Sequence, residues 1–170
     1  MPNLIVDGLG VEYRQHGAGP DLLLVHSLLT EMSVFELVLP ELARARRVTT
    51  INLPGFGAST PAAFNSLADH ADHVAKVMAA LQLPANTAVF GNGFGAFVSL
   101  ELAIRHGTRL GRLMVADTVP AFPEAGRAPF RGMARTMSRQ ISRLQVDGSR
   151  AASIMRLLAA RRPGEQECRI

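Results

Sequence analysis

The sequence predicts an α/β domain, built on a mostly parallel sheet with helices on both faces. Three observations carry this. Short apolar runs alternate with longer segments of helical periodicity over the first 120 residues. The run LLLV at 22–25 reads as a strand buried on both faces, as parallel sheets require. The residues with chemical character cluster just after His26, Leu53, Phe90 and Ala116, and ligands of such sheets bind at the carboxyl ends of the strands.

The elements follow in order. Leu4–Val6 and Val11–Gln15 are short strands around a glycine-containing turn. Asp21 to His26 is the third strand. Ser33 to Arg44 reads as a helix with Ser33 as N-cap and Val34, Leu37, Val38 and Leu42 on one stripe, kinked or broken at Pro40. Arg47 to Leu53 is a strand closed by the Pro54-Gly55-Phe56-Gly57 turn. Ser66 to Leu83 is an amphipathic helix with Leu67, His70, Val74, Val77 and Leu81 at helical spacing. Asn86–Phe90 is a strand, Gly95–His106 a helix and Leu113–Ala116 the sixth strand. Beyond Pro120 the alternation stops: 121–170 reads as a lid-like helical segment and polar tail, apart from a 1–120 core.

Composition excludes several classes. With 48% apolar residues a sizeable core is within reach. No run of about 18 apolar residues marks a membrane span, and no basic-then-apolar leader opens the chain. The single cysteine, Cys168, has no internal disulfide partner, which fits a cytoplasmic protein. Charge is uneven: −3 over Met1–Gly126 and +7 over Arg127–Ile170. The basic part has no aromatic residue beyond Phe130 and no nucleic-acid motif, so neither nucleic acid nor membrane is expected as a partner. Arg127, Arg131, Arg135, Arg139 and Arg143 recur every four residues. They form a solvated helix face, or a lid that draws in anions, or a frame-disrupted segment foreign to the rest. His70 and His73 with Asp69 and Asp72 offer two metal ligands at most, so no metal is expected and a solvated helix face is the plainer reading. No cofactor motif is present either: Gly91-Asn92-Gly93-Phe94-Gly95 is not G-x-G-x-x-G, and no Lys-Ser/Thr follows it.

That glycine turn between a strand and a helix resembles the nucleophile elbow, G-x-S-x-G, of α/β hydrolases. Three further segments agree in order. His26-Ser27-Leu28-Leu29 stands where the family has a His-Gly loop. Asn52-Leu53-Pro54-Gly55-Phe56-Gly57-Ala58-Ser59 resembles the D-x-x-G-x-G-x-S turn with Asn for Asp. Leu113-Met114-Val115-Ala116-Asp117-Thr118 resembles the sixth strand and its exit. The resemblance spans Val11 to Pro123 and is closest to small lactone, ester and carbon–carbon bond hydrolases. It implies an oxyanion hole from the N–H groups of Phe94 and Leu28, and a cleft lined by His26, Ser27 and Asn92.

The chain departs from the family twice. Position 93 should hold a nucleophile and holds Gly93, which has no atom to attack a carbonyl. Natural loss of activity and a deliberate ligand-trapping change both fit. The family also adds two strands carrying an acid and the base histidine, so the fold reads as C-terminally incomplete. Asp117 is the candidate acid, though a strand-exit residue capping the next turn is the better-supported reading. None of the five histidines stands at the base position; His26 is the nearest, as a shaper of the loop or a substitute base. The resemblance therefore implies a hydrolase relative silent as written, its cleft open to a small carbonyl or carboxylate ligand. A non-enzymatic binding or interaction protein, or an enzyme completed by a partner chain, is the alternative. An open sixth-strand edge would favour self-association.

Overall fold

The computed structural model describes residues 3–64 and 66–118. The chain divides into two units, Met1–Pro120 and Ala121–Ile170, and the first is the one described. The arginine series, Phe130 and Cys168 lie outside the described residues.

Strands β1 (Asn3–Val6) and β2 (Leu9–His16) form an antiparallel hairpin. They are followed by β3 (Asp21–Val25), β4 (Arg47–Ile51), β5 (Ala88–Asn92) and β6 (Arg112–Ala116). The six lie in the order β1-β2-β4-β3-β5-β6. β2 meets β4 antiparallel, whereas β4, β3, β5 and β6 are parallel. The α/β architecture expected from the alternation is therefore present. β4 lies on one side of β3 and β5 on the other, so the winding direction reverses at β3. Ligands of such sheets bind at this kind of reversal, beyond the carboxyl ends of β3 and β5.

The central strands are apolar because both faces are covered. Every residue of β3 is buried, and Val25, Val48 and Val89 expose no surface. Phe35 seals one side against Leu22, Leu24 and Val48, with Leu39, Leu42 and Phe90 beside it. Each such fully buried apolar side chain contributes about 1.5–3 kcal/mol relative to leaving it in water.

The helix expected over Ser33–Arg44 is not one helix. A 3-10 turn runs Met32–Phe35, and α1 is the single turn Leu39–Leu42. Pro40 supplies the reason: its ring excludes the carbonyl four residues back, so it is accommodated only in a first turn, where it stands. Three of the four residues of the expected stripe face water instead, Leu37 96% exposed and Val34 and Val38 half exposed, while Leu42 packs beside Phe35. Met32 and Phe35 carry the burial.

Helix α2 (Leu67–Ala80) starts where expected, at Ser66. The Ser66 hydroxyl accepts from Asp69 N at 3.1 Å, and the Asp69 carboxylate accepts from Ser66 N at 2.9 Å. These reciprocal bonds satisfy donors that the helix start leaves free. His70 and His73 lie on the packed face with Val74, Val77 and Met78, so the solvated-face reading of this pair is corrected. Phe64 sets its ring edge-on to both imidazoles, at 5.0 and 5.5 Å between centroids. Helix α3 (Phe94–His106) leaves β5 and runs back beside α2. Asp72 of α2 accepts from Arg105 at 2.8 and 2.7 Å and pairs with His106 at 2.6 Å. His106 is thus tied across to α2 rather than simply ending α3.

Candidate functional site

Three turns come together at the carboxyl ends of the central strands: 26–30 after β3, 52–59 after β4, and 92–94 after β5. The last is the tightest. Gly93 joins β5 to α3 with φ +54° and ψ −113°, a conformation that costs an L-residue strain and glycine little. Its N–H donates to Ala116 O at 2.9 Å, which binds the turn to the end of β6. Gly95 lets α3 press on the end of β3, since a Cβ there would stand 2.3 Å from Val25 O and 2.5 Å from His26 O. Phe94, first residue of α3, has an N–H that no helical carbonyl can accept.

His26 organises the second turn. The ring is fully buried. Nε2 accepts from Leu53 N at 3.0 Å, so the ring proton sits on Nδ1, which donates to Ser27 O at 2.8 Å. Burial holds its pKa below the ordinary histidine value, against the opposing effect of the Ser27 bond. With both nitrogens engaged in joining β3 to the turn after β4, His26 has no lone pair for a substrate proton. His26 is so placed that it ties the turn after β3 to the turn after β4. Ser27 O also accepts from Thr30 N at 3.4 Å and Thr30 Oγ1 at 2.9 Å, closing the turn that contains Leu28 and Leu29. Leu28 is half-buried.

Asn92 and Asp117 face each other at the ends of β5 and β6. The Asn92 amide donates to the Asp117 carboxylate, and Asp117 sits at φ +54°. Among the described residues Asp117 pairs with this amide and with no histidine. His16 lies exposed on β2. His70 is buried against Phe94, 5.2 Å between centroids, so it backs the start of α3. Among the described residues, no group of three or more His, Cys, Asp or Glu is placed to hold a metal.

Glu12 escaped the sequence reading. It is buried on β2, and its carboxylate accepts from Asn52 Nδ2 at 2.8 Å and Ala58 N at 2.6 Å. Asn52 Oδ1 accepts from Met32 N at 2.7 Å, and Ser59 Oγ links Glu12 N to Asn52 O. The turn after β4 is therefore clamped to β2. This explains Asn rather than Asp at 52: an acid there would press a second carboxylate on buried Glu12. An acid between Val11 and Tyr13 within a strand was the available signal.

A family model described as alpha/beta hydrolase fold matches residues 20–153. The chain belongs to that family. Among its relatives, 2-hydroxymuconate semialdehyde hydrolase of Pseudomonas sp. (strain CF600) is 37% identical over 117 residues, 66% of this chain and 41% of that protein. Pimeloyl-[acyl-carrier protein] methyl ester esterase of Aeromonas hydrophila subsp. hydrophila is 30% identical over 164 residues, 95% of this chain and 61% of that protein. A thermophilic esterase from Thermogutta terrifontis has the same fold with TM-score 0.65 and 25% identity, over 81% of this chain and 52% of that one. A bacterial membrane phospholipase A shares the fold at TM-score 0.73 and 22% identity, over 93% and 64% of the two chains. The chain spans about half the length of the curated relatives it matches. Among the described residues, no helix is long and apolar enough to cross a membrane.

Proposed function

We propose that this α/β-hydrolase chain binds a small carbonyl or carboxylate compound beyond the carboxyl ends of β3 and β5 without acyl transfer. The observation that carries the reading is Gly93 at the strained turn between β5 and α3. In this reading Gly93 is the nucleophile position of an elbow, left without a nucleophile. The N–H groups of Phe94 and Leu28 are the oxyanion donors, with His26, Ser27 and Asn92 around them. Backbone donors aimed at a carbonyl oxygen need no side chain at 93, so binding outlasts the loss of chemistry. Asp117, engaged by Asn92, serves the turn rather than a triad. The names of the relatives, a semialdehyde hydrolase and a methyl ester esterase, support a small carbonyl or ester-derived ligand. We place the protein in the cytoplasm, with no cofactor and no metal.

The test pairs binding with turnover. Calorimetric titration with butyrate is expected to show saturable binding, and p-nitrophenyl butyrate is expected to stay at its background hydrolysis rate. Gly93→Ser is expected to gain less than about tenfold, because a serine without a base recovers little. A burst of p-nitrophenol equal to one protein equivalent, or normal enzyme rates in Gly93→Ser, would overturn the reading.

A further inference from the structure

The departures at 27 and 93 are reciprocal. The resemblance expects glycine after His26 and a side chain bearing the nucleophile at 93; the chain has serine at 27 and glycine at 93. In space the two positions touch. A Cβ built on Gly93 would lie 2.1 Å from Ser27 Oγ and 3.0 Å from Ser27 Cβ. Nonbonded carbons prefer separations of about 3.5–4.0 Å, so the hydroxyl would have to turn away and Ser27 Cβ to give by a few tenths of an ångström. Turning the Ser27 hydroxyl away relieves the first clash and leaves the second. The backbone of Ser27 cannot easily retreat, because its carbonyl holds Thr30 N, Thr30 Oγ1 and His26 Nδ1 together.

We propose that Ser27 fills the side-chain volume of the elbow and decides whether position 93 can carry a side chain. The two substitutions are then one coupled change, in which the hydroxyl of the cleft has moved from the turn after β5 to the turn after β3. Ser27 is a positioning residue in this account: it acts on residue 93, not on a substrate. The inference rests on packing alone and stands whatever the cleft binds.

A double-substitution cycle tests it. Thermal midpoints are measured for the full chain, Gly93→Ser, Ser27→Gly and the pair. The strain of φ +54° at residue 93 is common to both backgrounds and cancels. Gly93→Ser is expected to lower the midpoint by about 3–6 °C more beside Ser27 than beside the Ser27→Gly substitution, as a contact-sized coupling implies in a chain of this length. Ser27→Ala, which removes Oγ and keeps Cβ, is expected to give an intermediate loss. If Gly93→Ser does not fold, Gly93→Ala runs the same cycle, and Ser27→Gly is expected to restore its folded yield. Equal or larger losses in the Ser27→Gly background, or no gain in yield, overturn the proposal.

Discussion

Residues 12 and 52 show how one side chain sets the chemistry allowed at another. Glu12 is buried, has no cationic partner among the described residues, and is satisfied by Asn52 Nδ2 and Ala58 N. Asn52→Asp keeps the acceptor used by Met32 N and replaces the donor facing Glu12 with a like charge. The expected loss at neutral pH is about 1–3 kcal/mol, the usual cost of a buried polar group left unsatisfied. Adding Glu12→Gln returns a donor to the pair while keeping an acceptor for Ala58 N, and is expected to recover most of that loss. Urea unfolding of the two single variants and the double variant measures this. Strictly additive losses would dispose of the pairing.

At the scale of elements, α2 carries a pH dependence. His70 and His73 are buried, and among the described residues His70 Nδ1 and His73 Nε2 have no hydrogen-bond partner. Desolvation lowers the pKa of His70 from 6.5 to about 4, with the neighbouring His73 adding to it, and burial lowers His73 as well. Between those values the unfolded chain binds more protons than the folded one. The stability contributed by neutral His70 is therefore full above about pH 6.5 and falls as pH drops toward 4. The loss is of the order of 2 kcal/mol for His70. Asp72, held well below the usual carboxylate range by Arg105 and then His106, stays ionised throughout this window. The Asp72–Arg105 bonds between α2 and α3 are thus kept. Urea midpoints at pH 7, 6 and 5 should decline, and His70→Phe should flatten the decline. Equal midpoints at pH 7 and 5 would contradict the assignment.

For the whole molecule the open question is the sheet edge. Among the described residues β6 pairs with β5 alone, and Met114 and Val115 are 56% and 39% exposed. A strand with one unpaired side and apolar side chains recruits another strand. We propose self-association through Arg112–Ala116, as a dimer or as larger species. Light scattering over a concentration series is expected to show mass rising with concentration, and Met114→Lys to suppress the rise. A monomer at high concentration whose Leu113–Ala116 amides exchange slowly would show the edge to be covered within one chain.

The alternation of strands and helices, the turns at the strand ends and the family resemblance were all legible in the residues. Each is local: a run such as Leu22–Val25 or the cap at Ser66 expresses its preference within a few positions. Gly93 and the turns at His26 and Asn52 were legible for the same reason, as short segments with fixed chemistry. What needed the tertiary structure depends on residues far apart in the chain. Pro40 was visible, yet the exposure of Leu37 follows from which turn packs on β3 and β4, and that turn is Met32–Phe35. The role of His26 rests on Leu53 N, 27 residues away, and the amide at Asn52 on Glu12, 40 residues away. Gly93 read as a departure and Ser27 as part of a matching loop, with nothing in the sequence to link them. Only the order β3-β5 in the sheet brings their side-chain volumes into the same space.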